Sequence, residues 1–327
     1  MQIMVLIISS LNLNRIRRRT ISSIAQKYLA YISPPNLCKV CKDLEPPLTS
    51  PIFAKCGKGD SPLFHIFENN RTMKIQYMSD LHLEFNENLH YIKTKPFEPL
   101  ADVLVLAGDT FYLRDTIAPQ MNFWNWASDH YKQVILVPGN HEYYNNGDVT
   151  ERGDSWQWMF RPDVGYYQNK VLRVDDTDFI ITTLWSRIPE QDMFYVLRGM
   201  NDFRQIIYNG HRFTPDDFNL EHNKCLAFIE QSLKASTARH IVVVTHHLPT
   251  LSVVSAQHKG SVLNGAFATE LGNYIANTRI DAWIYGHSHT NIDTVIGNTK
   301  IICNQLGYVC FNEHLKNGFE PTKTIEL

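Results

Sequence analysis

Gln133-Val134-Ile135-Leu136-Val137-Pro138-Gly139-Asn140-His141-Glu142 is the stretch on which the fold turns. A short apolar run stopped by Pro-Gly reads as a buried strand that ends abruptly. After the stop come an amide, an imidazole and a carboxylate in succession. An Asn carbonyl oxygen is a weak ligand, suited to a cation that must not be over-neutralised. A His directly after it can reach a reacting group without binding the cation. In open α/β sheets such side chains collect at the C-terminal ends of strands.

The same grammar recurs four times on either side. Upstream, residues 74–78 read as a strand running into Ser79-Asp80-Leu81-His82, and residues 103–106 run into Ala107-Gly108-Asp109. Downstream, residues 240–245 lead into His246-His247, and residues 282–285 into Gly286-His287-Ser288-His289. Asp and His two apart offer one cation a hard oxygen and an imidazole nitrogen. Glycine before Asp109 permits a tight turn that presents the carboxylate. Of the adjacent pair, His246 comes first off its strand and is taken as a ligand, leaving His247 as a loop or packing residue. Singly, Asp-x-His or Gly-Asp is an ordinary surface turn. Jointly, five apolar runs ending in three Asp/Asn oxygens and four imidazoles describe one site for two cations.

Between these runs the pattern alternates. Residues 119–130 have helical spacing, and residues 215–233 form a long helix candidate capped by Thr214, with Asp216 and Asp217 favourable against the helix dipole. Strands are expected at 178–183, 294–296 and 300–303, with Gly297-Asn298 as a hairpin turn that makes a second sheet partly antiparallel. Such alternation favours a layered α/β domain. Residues 143–214 carry Tyr143, Tyr144, Trp156, Trp158, Tyr166, Tyr167 and Trp185 and read as a wall over the site. Two readings of these aromatics stand side by side: stacking a base or nucleoside, or packing a sheet edge.

The chain of 327 residues, 44% hydrophobic, suffices for one domain of about 250 residues with extra segments. Its net charge of −2 divides unevenly: residues 1–72 hold ten Lys/Arg against four Asp/Glu, the remainder 21 against 29. An acidic body argues against a general nucleic-acid binder, which needs a basic face. Residues 1–72 are expected to be a basic, poorly ordered extension before a domain at 73–327. Met73 would serve equally as a start, since it opens the first strand directly. The apolar run at residues 4–8 is too short to span a bilayer. The Arg-rich, acid-poor composition of residues 1–42 is that of a mitochondrial transit peptide, the alternative to an extension without a targeting role. Cys38, Cys41, Cys56 and His65 are a weakly spaced candidate zinc set. Six cysteines in a chain of this length do not make a disulfide framework, so a reducing, cytoplasmic setting is expected. Oligomeric state is not legible.

The ordered blocks Asp-x-His, Gly-Asp, Gly-Asn-His-Glu, His and Gly-His-x-His resemble those of the calcineurin-like metallophosphoesterase superfamily. The resemblance is nearer still to a bacterial and phage-type branch, through residues 79–85 (Ser-Asp-Leu-His-Leu-Glu-Phe) and Thr183-Leu184-Trp185. That branch often ends in Asn-Pro-Arg-Gly-Tyr, where this chain has Asn304-Gln305-Leu306-Gly307-Tyr308, without the arginine. The resemblance implies two packed mixed β-sheets flanked by helices, a four-layer α/β/β/α fold. It implies one metal on Asp80, His82, Asp109 and His289, and another on Asp109, Asn140, His246 and His287, with Asp109 bridging. Two cations about 3.5–4 Å apart share a water and make a bridging hydroxide available to phosphorus. Asp109, Asn140 and His141 are the catalytic candidates, His141 assisting the leaving oxygen. Mixed nitrogen and oxygen ligands point to manganese, with iron or zinc as alternatives. The expected partner is a small phosphate ester or nucleotide, a diester before a monoester, with neither a stable nucleic-acid complex nor a membrane. Arg204 and Trp185 are candidates for substrate contact, with Arg187 a second candidate for phosphate. The rival classes are a catalytically silent scaffold of this fold, a dinuclear hydrolase of C–N bonds, and nucleic-acid binding by the basic N-terminus.

Overall fold

The computed structural model describes residues 72–95 and 97–327. The readings of the N-terminal extension, the transit peptide and the Cys38/Cys41/Cys56/His65 set lie outside the described residues.

The apolar runs pair with one another because each is apolar on both faces and must be covered on both. In the first sheet, β1 (Lys74–Met78), β2 (Val103–Leu106), β3 (Gln133–Leu136) and β5 (Val164–Gln168) run parallel. Antiparallel edge strands close it, β14 (Thr324–Glu326) beside β1 and β4 (Trp156–Arg161) beside β5. The second sheet repeats the plan. Parallel β7 (Thr177–Ile181), β10 (His240–Val244), β11 (Ala282–Tyr285) and β13 (Thr299–Cys303) lie between antiparallel β6 (Lys170–Val174) and β12 (Thr294–Ile296). Both are mixed sheets of six strands. The β12–β13 turn is the hairpin expected at Gly297-Asn298.

Period-2 alternation assigns each side chain to a layer. Ile75 and Tyr77 of β1 join Val103, Val105, Ile135, Phe179, Ile181, Val242, Val244 and Ile284 in the core between the sheets. Met78, Leu104, Leu106, Val134 and Leu136 face outward, against Ile92 of α1 (Asn86–Thr94) and Trp124 and Ala127 of α2 (Met121–His130). The opposite outer face, with Ile241, Val243, Trp283 and Ile301, takes Ile229 of α5 (Pro215–Ala235) and Ile275 of α6 (Gly272–Ile275). Two short helices, α3 (Met193–Gly199) and α4 (Asp202–Gln205), precede the hairpin β8 (Ile207–Tyr208) and β9 (His211–Arg212). Thr214 caps α5 in a capping box with Asp217. The expected helix at 119–130 begins as a 3-10 turn, Ala118–Gln120, before α2. Cys225 and Cys303 are buried free thiols, and Cys310 is exposed in a 3-10 turn. No helix among the described residues is long and apolar enough to cross a membrane.

The two sheets are joined at their C-terminal edge. Ser79, just past β1, bridges to Gln305, just past β13, and accepts from Leu306 N at 3.0 Å while donating to Asn304 O at 3.0 Å. This seam brings the loops of both sheets into one place.

Candidate metal centre

Tight turns hold the functional side chains. Asp80, His82, Asp109, His287 and His289 all have left-handed backbones, with φ of 56°, 46°, 52°, 78° and 50°. For non-glycine residues each such conformation costs on the order of 1–3 kcal/mol and persists only where surroundings impose it. Here strand-end hydrogen bonds impose it. Asp80 N donates to Gly108 O at 3.0 Å, and His82 N to Asp109 O at 2.9 Å. His287 N donates to Asp80 Oδ1 at 3.0 Å. Gly108, at φ +88°, lies so close to the His246 ring that any Cβ would collide with it.

The structure gathers the seven expected ligands into two nests. In one, His82 Nε2 lies 3.1 Å from His289 Nε2, and His289 Nε2 lies 3.4 Å from Asp80 Oδ1. In the other, His246 Nε2 is 3.1 Å from both His287 Nδ1 and Asn140 Oδ1. Asp109 spans them, Oδ1 at 3.2 Å from His246 Nε2 and Oδ2 at 3.8 Å from His82 Nε2. All seven are buried except His289, which is partly open to the cleft. Imidazole nitrogens bound about 2.1 Å from one ion at right angles lie roughly 3 Å apart. The two nitrogen pairs therefore have the spacing of neighbouring ligands to a cation, and the donor set fits divalent ions.

Burial and close contact shift the ionisable groups of the nests in opposite directions. Burial opposes ionisation of Asp80 and Asp109, but His289 and His246 respectively override it and hold both carboxyls below their ordinary range. Burial also opposes the imidazolium of His246, yet Asp109 lifts it to about 9. His289 reaches about 10 through Asp80 and Glu313. Their partners go the other way: burial and the His246 charge push His287 down to about 3, and burial and His141 lower His82. Each 3.1 Å nitrogen pair thus joins a protonated ring to a neutral one.

Partners around the ligands set their orientation, and these were not expected from the sequence. Glu84 Oε1 lies 3.0 Å from both His82 Nδ1 and His141 Nδ1, leaving each Nε2 to face inward. Its Oε2 has no hydrogen-bond partner among the described residues. His246 Nδ1 lies 3.0 Å from Ala107 O, and His289 Nδ1 2.7 Å from Glu313 Oε2. Asn140 Nδ2 donates to Asp202 Oδ1 at 2.9 Å, as does the Tyr144 hydroxyl at 2.6 Å. His141 N donates to Asp109 Oδ1 at 2.9 Å. Its ring stacks on Tyr144 at 4.2 Å, and Nε2 sits 3.3 Å from the Tyr308 hydroxyl. His247, taken as a packing residue, is fully buried against Trp185 and His287.

A cleft of about 620 Å³ opens over the nests, lined by Asp109, Asn140, His141, Tyr144, His287, His289 and Tyr308 among others, with no Lys or Arg among the described residues. Two substrate-contact candidates are not brought to it. Trp185 is fully buried among Tyr143, Phe213 and Phe218, because the turn after β7 points it into the core beneath α5. Arg204 is exposed on α4 and donates back to Arg198 O and Met200 O. The wall reading of residues 143–214 also divides. Trp156, Trp158, Tyr166 and Tyr167 belong to β4 and β5, packing the sheet edge, whereas Tyr144, Asn145, Met200, Asn201 and Gln205 line the cleft.

A family model described as calcineurin-like phosphoesterase matches residues 73–291, which hold all seven candidate ligands and His141. The chain belongs to the calcineurin-like phosphoesterase family. An uncharacterized protein of Acanthamoeba polyphaga mimivirus is 30% identical over 277 residues, covering 77% of this chain and 96% of that protein. Among solved structures, the phosphopantetheinyl hydrolase of Mycobacterium tuberculosis shares the fold, with a TM-score of 0.54 and 15% identity over 78% of this chain and 95% of that one. Within this calcineurin-like phosphoesterase, the arginine missing from residues 304–308 is replaced by Leu306, which is fully buried in the core. That segment serves the site through its neighbours: Gln305 Oε1 accepts from His289 N at 2.6 Å, and Tyr308 packs over His82 at 4.6 Å.

Proposed function

We propose that this protein hydrolyses a small phosphate ester, a diester in preference to a monoester, using two divalent cations. One is held by Asp80, His82, Asp109 and His289, the other by Asp109, Asn140, His246 and His287. The observation carrying this reading is the division of the Asp109 carboxylate, one oxygen turned to each nest. Bound there, two divalent cations supply an activated water and positive charge for the phosphate oxygens. The chain's own residues supply the rest. His141, its Nδ1 tied to Glu84, presents Nε2 to the cleft, where it delivers a proton to the departing oxygen. Burial disfavours its imidazolium, but Asp109 and Glu84 override it and raise its pKa, which favours the proton-bearing form. A cleft lined without Lys or Arg suits a singly charged diester better than a doubly charged monoester. Its volume suits a nucleotide-sized ester. Imidazole and carboxylate clusters without a thiolate among the described residues suit manganese, iron or zinc, of which manganese is the ion we favour.

Metal analysis followed by a Mn²⁺ assay comparing bis(4-nitrophenyl) phosphate with 4-nitrophenyl phosphate tests the reading. Two bound equivalents and faster cleavage of the diester are expected, with Asp109→Ala losing nearly all turnover. Absence of metal-dependent turnover on both esters would overturn it in favour of a silent scaffold.

A further inference from the structure

Beside the cleft lies a second, smaller cavity of about 160 Å³, walled by Leu248, Val254, Leu263 and Phe267. The two share Phe267 and Ser288 as lining residues. Phe267 stacks on His287 with centroids 4.6 Å apart and planes at 28°, so the pocket begins beside a candidate metal ligand. Its walls are fixed rather than loosely draped. Leu248 N donates to Phe267 O and Thr269 N to Leu248 O, both at 3.1 Å, and Asn264 Nδ2 donates to His258 O at 2.8 Å. Three features describe an occupant. An apolar cavity of about 150 Å³ is known to hold a single benzene ring, so this volume suits one six-membered ring and not a fused pair. Among the described residues no Lys, Arg, Asp or Glu lines it and His258 is the sole ionisable side chain there, so a neutral ring suits it. Ser255, only 9% exposed, lines the pocket with a buried hydroxyl that has no hydrogen-bond partner among the described residues. A buried hydroxyl left so is costly, and a polar atom on the ring edge would satisfy it.

We infer that this pocket is a subsite for a neutral, single-ring group with one hydrogen-bonding atom, carried on an ester arm of the substrate. The inference rests on the phosphoesterase reading above. It deepens that reading by specifying the alcohol or phenol portion of the ester.

Binding of phenylphosphonate and methylphosphonate to the Mn²⁺-loaded full-length protein, followed by calorimetry, separates the ring from the anion. The phenyl compound is expected to bind roughly tenfold tighter, in keeping with burial of one ring. The ratio of affinities should fall to about one in Leu263→Trp and in Ser255→Leu, each of which fills the pocket from a different wall. Equal affinities in the unmodified protein, or a ratio preserved in both variants, would overturn the subsite. Failure to hydrolyse either chromogenic ester counts against the phosphoesterase reading alone, because the affinity ratio still reports on the pocket.

Discussion

Asn140 is useful only in one of its two amide orientations. Its Oδ1 must face His246, 3.1 Å away, and its Nδ2 must face Asp202, 2.9 Å away. A carboxylate accepts but does not donate, so Asp202 forbids the flipped amide. Asp202→Leu should let Asn140 turn its NH₂ toward the second nest. Affinity there is expected to fall about 10–100-fold, the usual effect of losing an outer partner, while the first nest keeps its ion. Asp202→Asn retains the accepting oxygen and should recover most of the affinity. Two-site Mn²⁺ titration reads both, and equal loss at the two sites would reduce Asp202 to a folding residue. His141→Ala, by contrast, is expected to keep both ions yet lose about 10²–10⁴-fold in turnover, most severely with poor leaving groups. Equal loss across a leaving-group series would remove the acid role. The seven candidate ligands were legible because each sits just past an apolar run. Glu84 and Asp202 were not. Glu84 stood within the residue 79–85 resemblance but with no role assigned to it, and Asp202 reaches Asn140 across 62 residues. A partner such as Asp202, defined only by three-dimensional proximity, leaves no spacing to read.

Loops join into a site only if the elements beneath them are locked, and Glu142 provides one lock. Its Oε2 accepts from Asp109 N at 3.0 Å and Gly139 N at 2.7 Å; its Oε1 accepts from Thr110 N and the Tyr166 hydroxyl, both at 2.7 Å. The turns after β2 and β3 and strand β5 thus meet on one buried carboxylate. Glu142→Gln preserves shape but sets an NH₂ against at least one backbone N–H. The cost should be about 1–3 kcal/mol, seen as a fall of roughly 2–4 °C in Tm per kcal/mol. Tyr166→Phe removes one donor without creating that clash and should cost less; equal losses in the two variants would refute the lock. At this scale β1, β2, β3, β10 and β11 were legible from their apolar runs, α5 from its Thr214 cap. Strands β4 to β6 were not. Trp156-Gln157-Trp158-Met159-Phe160-Arg161 does carry strand-forming aromatics. Its role as an edge strand, however, depends on pairing with β5, which no local pattern announces. The aromatic residues there were therefore open to a ligand-stacking reading until their neighbours were known.

Across the whole molecule, two sheets with the same plan meet at one edge and bury a group of ionisable side chains whose donor set fits divalent cations. In the metal-free protein, His246 and His289 carry protons. Their folded-state pKa values of about 9 and 10 lie above the ordinary imidazole value. These protons therefore favour the metal-free fold fully below pH of about 6.5. That contribution is lost as pH rises through about 9 and 10. Metal binding requires the same nitrogens bare, so it must expel the protons. Chelation should then lower Tm, and lower it more as pH rises. With free Mn²⁺ at about 100 times its Kd the stabilisation is about 2.7 kcal/mol, or roughly 5–10 °C for a domain of this size. At pH about 6 the gap between Mn²⁺-loaded and chelator-treated protein should shrink, because protons compete for both nests. Calorimetry near neutrality in buffers of different ionisation enthalpy should register proton release as the ions bind. A Tm gap independent of pH, with no proton release, would mean that the paired imidazoles do not share protons, and no gap at any pH would mean that the two nests do not bind the cation.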